Sequence, residues 1–336
     1  DPNNRPTFDH IIELLKNKEN LANLEIDLDE NEYFNYVNYI DDYLQNPNLD
    51  KSFNFSEQSF QKVSLFKEVE REPLSLNIKL TDLSVFKQFE RIGEGTFGTV
   101  YEVISFETGK KYACKVLKSK FYKNMENDEK INKLKNELII LMNMKHPAII
   151  EFIGYNSIDF KNLLNPVILT ELAANRSLES ILQLQRNGLA NDIWTDTKKL
   201  INIYGIASSM SYLHSLNILH RNLKPSNILL DELIHPKLSD FGFAKSIDDK
   251  DTDNNMSPKC LLGTYPYISP EIYENQEYSK ASDVYAFSLI VYEILTSQKP
   301  FFGSTFYEIM MNVTKGHRPE IKDDLPNCFK KLIQDC

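Results

Sequence analysis

The stretch ILHRNLKPSNILL, residues 218–230, decides how the chain is interpreted. Short apolar runs stand at both of its ends, and Asn222, Lys224 and Asn227 are among the polar residues between them. The amide of Asn222 keeps an acceptor oxygen but has no useful basicity. Whatever role this stretch has, position 222 therefore cannot act in it as a general base.

A glycine-rich motif lies far upstream, where residues 93–98 read GEGTFG and fit G-x-G-x-x-G. The motif alone is a weak signal, since a plain glycine-rich hairpin turn has the same composition. In a dinucleotide-binding fold such a loop would open a helix. Here TVYEVIS follows it at 99–105, and its β-branched and aromatic residues predict a strand. We expect a strand–loop–strand clamp whose backbone N–H groups cover phosphates.

A lysine stands inside the apolar strand pattern YACKVL at 112–117. Burying an unpaired ammonium is costly, so Lys115 needs an anionic partner. Glu137 is the candidate, because it borders the inward stripe of the helix pattern INKLKNELIILMNM at 131–144. We predict a Lys115–Glu137 ion pair; the alternative is two separately solvated charges.

Six motifs occur in a fixed order along the chain: GEGTFG, YACK, Glu137, HRNLKPSN, DFG at 240–242 and SPE at 269–271. Together they resemble a protein kinase over roughly residues 89–300, and chance agreement of six ordered motifs is negligible. The forms LKPSN and GTYPYISPE are similar to the tyrosine-kinase-like group of serine/threonine kinases, rather than to tyrosine-specific enzymes.

The resemblance implies an α+β, bilobal protein kinase fold, with a small five-stranded β lobe carrying one helix and a larger, mainly helical lobe. We expect the kinase domain at 81–336, with the small lobe at 81–172 and the large lobe at 173–336. Helical periodicity in the large lobe agrees with this division. It is found at 178–187, 198–216, 282–296 and 304–315.

By the same resemblance the chain would bind ATP and Mg²⁺. Asp240 would bind a Mg²⁺ that bridges the phosphates, Asn227 would bind the second ion, and Lys224 would neutralise charge on the transferred phosphoryl group. Backbone groups of Glu171 and Ala173 would hydrogen-bond the adenine. The nucleotide-binding positions implied are Ile92, Gly93, Glu94, Gly95, Gly98, Val100, Ala113, Lys115, Glu137, Thr170, Glu171, Ala173 and Leu229.

Apolar residues around this site have a second interpretation. Val100, Ala113 and Leu229 would sandwich the adenine, and Thr170 would be the gatekeeper, but any one apolar residue taken alone fits core packing as well. Four residues would stack as a spine that joins the lobes: Leu141, Phe152, His220 and Phe241. His220 would then be structural and not a base.

Asn222 is the departure from the family, whose Asp at this position accepts the substrate hydroxyl's proton. Three interpretations stay open: a natural pseudokinase that binds ATP without efficient transfer, a kinase that tolerates the Asn, and a deliberately inactivated variant. A purely structural module would bind no nucleotide at all. The activation segment, 240–271, offers Thr252 and Ser257 as phosphate acceptors, with Arg221 as the residue that would read the phosphate.

The first 80 residues carry most of the negative charge, with 16 Asp or Glu against 8 Lys or Arg. Residues 25–80 are interpreted as an acidic linker, either a solvated spacer or an acidic docking surface. Within it, ENEYFNYVNYIDDYLQNP at 30–47 has helical spacing and predicts one short helix ending before Pro47. The apolar positions at that spacing are Phe34, Val37, Ile40 and Leu44.

The chain begins with DPNNRPTFDHIIELL, which resembles D-P-x-x-R-P-[TS]-F, a motif of the last helix in tyrosine-kinase-like kinases. We expect residues 1–24 either to be the tail of an upstream kinase domain or to fill the place of the domain's own last helix, missing after KKLIQDC; the two are compatible. We predict an Arg5–Glu271 ion pair, the alternative being a free amphipathic helix. The residues expected to pack on the large lobe are Phe8, Ile11, Ile12 and Leu15.

Composition narrows the partners. The net charge of −10 argues against a nucleic-acid partner, and no apolar run approaches the roughly 18 residues that span a bilayer. Four cysteines without metal-ligand spacing indicate free thiols, so we expect a cytoplasmic location. The expected partner is a protein substrate or a signalling protein, and the chain is expected to belong to a larger or tandem-kinase protein.

Overall fold

The structure is a computed structural model. It describes residues 1–22, 24, 26–46, 81–94, 98–117, 137–190, 192–247, 265–275, 277–321 and 325–336.

The small lobe is a five-stranded antiparallel sheet in the order β1-β2-β3-β5-β4. Its strands are β1 (Phe86–Glu94), β2 (Gly98–Ser105), β3 (Lys111–Leu117), β4 (Phe152–Asn156) and β5 (Val167–Glu171). In β2 the alternate residues Val103 and Ser105 are buried, as expected of a strand with one face on a core. Among the described residues of this lobe one helix, here named α4, covers 137–143. The predicted five-stranded sheet of the small lobe is confirmed.

The large lobe is built around two long helices that are buried on nearly every side. They are α6 (Asp196–Ser215) and α8 (Lys280–Thr296), and each carries apolar residues all round. Such helices belong in a protein interior. The surrounding helices are α5 (Leu178–Arg186), α7 (Pro270–Asn275), α9 (Phe306–Thr314) and α10 (Asn327–Asp335). The helical segments predicted from periodicity are therefore confirmed.

Two short antiparallel pairs of strands lie in the chain between the long helices and carry the central motifs. One pairs β6 (Ile218–Leu219) with β9 (Lys245–Ser246), and the other pairs β7 (Ile228–Leu230) with β8 (Pro236–Leu238). Each strand has three residues or fewer, which is too short for a period-2 pattern to reveal in the sequence. Residues 218–230 thus run from β6 through a loop to β7.

The N-terminal segment packs against the large lobe. It forms α1 (Phe8–Lys16), α2 (Lys18–Ala22) and α3 (Glu30–Gln45). Phe8, Ile11 and Leu15 are buried and Ile12 is partly buried, so the predicted apolar face of α1 is confirmed. Thr7 accepts a hydrogen bond from the N–H of His10, which caps the start of α1.

The interpretation of residues 25–80 as a solvated spacer is wrong for 30–45, because α3 buries one face on the large lobe. The predicted helix is present, but its buried face is rotated from the predicted stripe. Val37 and Ile40 are buried as expected, whereas Leu44 is exposed. Two tyrosines that were not expected on the buried face, Tyr33 and Tyr36, are buried instead. The side chains that α3 buries are Tyr33, Tyr36, Val37 and Ile40.

Candidate active site

Lys115 and Glu137 form the predicted ion pair, with 2.6 Å between Nζ and Oε1. Strand β3 carries the lysine and α4 carries the glutamate, and both side chains are partly buried. Burial alone would lower the pKa of Lys115, but the charges of Glu137 and Asp240 and the Glu137 hydrogen bond raise it above its ordinary value. The lysine therefore stays an ammonium and points its charge into the space beside Asp240.

Asn222, Asn227 and Asp240 form one hydrogen-bonded cluster. The Nδ2 of Asn227 donates to the backbone oxygen of Asn222 at 2.8 Å. The Nδ2 of Asn222 in turn donates to Oδ2 of Asp240 in a long bond of 3.4 Å. Asp240 adopts a left-handed backbone conformation, with φ of 63°, which is uncommon for a residue with a side chain. The fold thus brings together the residue at the expected proton-acceptor position, Asn222, and the two expected metal ligands, Asn227 and Asp240.

This donor set fits magnesium. A carboxylate and an amide oxygen are ligands of the kind Mg²⁺ accepts, and the ion usually fills its remaining positions with water and phosphate oxygens. Across the described ranges no cluster of three or more His, Cys, Asp or Glu side chains could cage a metal by itself. A metal held by Asp240 and Asn227 would therefore complete its coordination with water or phosphate oxygens.

The backbone of the loop is held by Asp283, a residue that the sequence analysis missed. Its carboxylate, in α8, accepts from the N–H of His220 at 2.9 Å and from the N–H of Arg221 at 3.0 Å. Nε2 of His214 donates to the same group at 3.0 Å. Burial alone would raise the pKa of Asp283, but the His214 hydrogen bond and the neighbouring charges lower it. A buried, ionised carboxylate therefore fixes the start of the loop.

The predicted stack of residues between the lobes is seen most clearly at His220 and Phe241. The rings of His220 and Phe241 meet edge to face with centroids 5.3 Å apart. Leu141 and Phe241 belong to one continuous core, and Phe152 packs against it. Nδ1 of His220 accepts from the N–H of Asn222, and Nε2 lies 3.2 Å from the backbone oxygen of Ser239. His220 is therefore held on both sides, as expected of a structural residue.

The register of the strands puts Val100, Ala113 and Thr170 on the same face of the sheet as Lys115. Val100 lies opposite Lys115, and Ala113 lies opposite Thr170 in the ladder. Leu229 follows on β7, where it is partly buried. Ile92, Gly93 and Glu94 end β1, whereas Gly95 lies outside the described residues.

Glu171 ends β5 and Ala173 follows two residues later, at the connection between the lobes. The N–H of Glu171 already donates to the backbone oxygen of Glu151 at 3.0 Å. Its side chain binds the ammonium of Lys237 at 3.0 Å. Because a carbonyl oxygen has two lone pairs, the backbone oxygen of Glu171 is the group with which this residue can accept a hydrogen bond from adenine.

Lys224 borders a cavity of about 440 Å³, together with Pro225 and Ser226 of the same loop. The cavity walls include Tyr265, Tyr267 and Phe302, and Phe302 is 86% exposed. Behind this wall Glu293, fully buried in α8, accepts from the hydroxyl of Tyr267 at 2.6 Å. Burial raises the pKa of Glu293. This second buried carboxylate was also not anticipated from the sequence.

The phosphorylation hypothesis falls mainly on residues outside those described, because Thr252 and Ser257 both lie between 248 and 264. Arg221 is described: its guanidinium carbon lies 4.5 Å from the ring centroid of Tyr278. The two phosphate acceptors remain predictions.

Two expectations about the whole chain can be compared with the described ranges. Cys114, Cys328 and Cys336 are free thiols, as predicted, and Cys260 is outside the described residues. None of the helices in the described part of the chain is both long and apolar enough to cross a membrane.

Comparison with known proteins identifies the class. The family model for the protein kinase domain matches residues 86–336, so the chain belongs to the protein kinase family. The ligands usual for that family are ATP and Mg²⁺.

The relatives include proteins of several organisms and architectures. The chain is 34% identical to Cysteine-rich receptor-like protein kinase 10 of Oryza sativa subsp. japonica over 73% of its length, and 31% identical to RGS domain-containing serine/threonine-protein kinase A of Dictyostelium discoideum over 81%. It is 30% identical over its full length to Dual specificity protein kinase pyk3 of the same amoeba. These alignments cover 36%, 22% and 22% of the three relatives. The chain therefore spans less than two fifths of each.

Proposed function

We propose that this chain is a serine/threonine-type protein kinase domain, of the tyrosine-kinase-like group, that binds ATP and Mg²⁺ but transfers phosphate poorly because of Asn222. The observation that carries the proposal is the arrangement around one space: the 2.6 Å Lys115–Glu137 pair on one side, and Asp240 within reach of Asn222 on the other. Relatives named as serine/threonine kinases support the substrate class.

Each residue has a role that its surroundings support. Lys115, held as an ammonium, would orient the α- and β-phosphates, and Asp240 and Asn227 would hold the metal ions. Lys224 would stabilise charge on the γ-phosphoryl group. Magnesium supplies neutralisation of the phosphate oxygens when bound. The acceptor for this transfer would be a hydroxyl of a protein substrate.

Asn222 weakens two steps. Its amide cannot remove the proton of an attacking hydroxyl, and general-base catalysis contributes about 10²–10⁴-fold in rate. That range corresponds to about 3–5 kcal/mol of the activation barrier. The same amide donates to Asp240, so one carboxylate oxygen is engaged that a metal could otherwise bind. Positioning and electrostatics remain, and nucleotide binding is expected to persist.

A second candidate function has its own observation. With no general base at position 222, the same pocket would serve a pseudokinase that senses ATP and signals through contacts with a protein partner. Multidomain relatives such as the RGS domain-containing kinase favour a larger parent protein of this kind. A cytoplasmic location, supported by the free thiols, is part of either proposal.

The deciding experiment compares the chain with Asn222→Asp. Both proteins are given Mg-ATP with labelled γ-phosphate and a generic protein substrate, and Asp240→Asn serves as the inactive control. The proposal predicts that Asn222→Asp incorporates phosphate at least roughly 100 times faster. Equal, substantial rates in both proteins would show that Asn222 is tolerated.

Binding of a fluorescent ATP analogue is measured beside transfer. Binding without transfer in both proteins favours the pseudokinase. Loss of binding in both contradicts every nucleotide-based proposal and leaves a purely structural module. In Asn222→Asp the two carboxylates at 222 and 240 repel each other until a cation lies between them. Nucleotide affinity of this variant should therefore depend more steeply on the magnesium concentration.

A further inference from the structure

Helix α3 covers a particular face of the large lobe, formed by α6 and the β7–β8 hairpin. Tyr33 and Ile40 are completely buried there, and Tyr36 is 5% exposed. Tyr39, on the same helix, is 55% exposed and lies on the outward side. Together with Val37, these residues give α3 one buried face and leave its other side to solvent.

The receiving face is shaped for this helix at Gly205, in the interior of α6. A Cβ atom at position 205 would lie 2.5 Å from the hydroxyl oxygen of Tyr36 and 2.5 Å from Cγ of Pro236. Glycine in a helix interior costs roughly 1 kcal/mol relative to alanine. Its absence of a side chain is what lets α3 and β8 approach α6 together.

Polar contacts fix the position of α3 at both of its ends. At the beginning, the N–H of Asp29 donates to Oγ1 of Thr197 at 2.8 Å, and Glu32 is ion-paired with Lys198. Near the other end, Asp41 accepts from the hydroxyl of Tyr204 at 3.2 Å. Contacts at both ends of a helix set its register along the groove as well as its affinity.

Asp41 also ties α3 to α1. The ammonium of Lys16 donates to both oxygens of Asp41, at 2.7 and 2.6 Å. The hydroxyl of Tyr33 donates to the backbone oxygen of Leu15 at 3.0 Å. Helices α1 and α3 therefore bind α6 as one unit.

The covered hairpin leads directly into the candidate active site. The rings of Tyr36 and His235 are tilted against each other with centroids 4.5 Å apart, and His235 lies in the turn between β7 and β8. Strand β7 carries Leu229, and β8 ends two residues before Asp240. A helix that holds this hairpin from outside thereby supports one adenine contact and the segment that presents a metal ligand.

We propose that residues 29–46 of this chain are an internal ligand of the large lobe, bound in cis, which braces the β7–β8 hairpin behind the active site. The intervening residues 47–80 can span roughly 110 Å when extended, so the connection permits docking within one chain. This bracing of the β7–β8 hairpin by residues 29–46, here called the brace, rests on the proposed function in one respect. Its effect on nucleotide affinity requires that the chain binds nucleotide.

Hydrogen exchange in the full chain tests the docking directly, with Tyr36→Ala compared with Tyr39→Ala. Truncating a buried aromatic is costly, so exchange of residues 30–45 should accelerate at least roughly tenfold in Tyr36→Ala, with a smaller increase at 228–238. Tyr39→Ala should exchange like the parent. Unchanged protection of 30–45 in Tyr36→Ala, or no protection in the parent, overturns the proposal.

A charge reversal keeps the test valid if Tyr36→Ala fails to fold. Glu32→Lys and Lys198→Glu should each loosen α3, and the double variant should restore protection. Absence of that restoration counts against the observed pairing.

To distinguish docking within one chain from docking between two copies, exchange is repeated on dilution, with the mass in solution measured by light scattering. Protection that persists in a monomer supports docking in cis, whereas protection lost together with a dimer assigns the face to a second copy.

The brace has its own readout in the affinity for a fluorescent ATP analogue. Tyr36→Ala should bind it at least roughly threefold more weakly than Tyr39→Ala, because a loosened hairpin must be ordered again on binding. Loosened α3 with unchanged affinity would overturn the brace and leave only docking. If the parent binds no nucleotide, the proposed function fails, while the exchange data still decide whether α3 docks.

Discussion

Arg5 and Glu271, 266 positions apart in the chain, are joined by two parallel hydrogen bonds. Nη1 lies 2.7 Å from Oε1 and Nη2 lies 2.8 Å from Oε2, and the arginine side chain is only 1% exposed. Nη1 also donates to the backbone oxygen of Ala281 at 2.9 Å. The predicted ion pair is thus confirmed, and it connects the start of the chain to α7 and α8.

Replacing Arg5 by Ala should lower the free energy of unfolding by about 3–5 kcal/mol, because it leaves the partly buried Glu271 carboxylate uncompensated. Urea denaturation followed by circular dichroism measures the change. The control is Arg91→Ala, which removes an exposed ion pair with Glu94 and should cost about 0–1 kcal/mol. Similar costs for the two variants would mean that the buried pair contributes no more than a surface pair.

Replacing Lys115 by Met should weaken nucleotide binding by about 10- to 100-fold, the effect of losing a hydrogen bond to a charged group. Titration with a fluorescent ATP analogue measures it. Lys111→Met is the matched control, since Lys111 lies on the same strand in a more exposed pair with Glu102. Equal affinities in the two variants would remove Lys115 from the nucleotide site.

Gly98→Ala should destabilise the small lobe by about 1–3 kcal/mol, since a Cβ at 98 would lie 2.5 Å from the backbone oxygen of Val116. The variant would push β2 away from β3. Gly93→Ala is the control for stability, because its nearest contact would be Val100 at an ordinary 3.8 Å. Thermal unfolding that shifts equally in both variants would contradict the close approach at Gly98.

His146 should make the protein less stable in acid. It is buried, its Nδ1 accepts from the N–H of Ala148, and Nε2 lies 3.1 Å from Oγ of Ser208. Burial, with the charge of Lys237, lowers its pKa from 6.5 to about 3. As the pH falls below 6.5 the unfolded chain takes up a proton that the folded protein refuses, so stability present at neutral pH is lost between about 6.5 and 3.

At pH 5 this histidine should account for a loss of about 2 kcal/mol relative to pH 7. Urea denaturation at the two pH values measures the loss in the parent and in His146→Gln, which should lack this component. The exposed His317 supplies the control variant His317→Gln, which should lose as much stability as the parent. A loss in His146→Gln that equals the parent's would exclude His146 as the source.

The sequence predicted the parts of the site whose partners are implied by local chemistry or by the family. A lysine in an apolar strand demands an anion, and this led to Glu137. Asp283 and Glu293 were missed, because α8 resembles a core helix and the groups they bind come from distant segments. Tyr33 and Tyr36 were missed for a different reason: an amphipathic ring fits both a surface and a core, so periodicity alone placed Leu44 on the buried face.

The cis docking of the N-terminal segment has a consequence for biosynthesis. Helices α1 to α3 leave the ribosome before any of the large lobe exists, and at about 5–20 residues per second Glu271 follows Arg5 by roughly 13–53 s. Until α6 has been made, Phe8 and Tyr33 lack the rings of His214 and Tyr204 against which they pack. From Glu19 to Asp50 there are nine acidic side chains and no Lys or Arg. Mutual repulsion among these charges would keep the waiting segment from associating with other nascent chains. A segment made before the large lobe can thus be packed only after most of that lobe has been made.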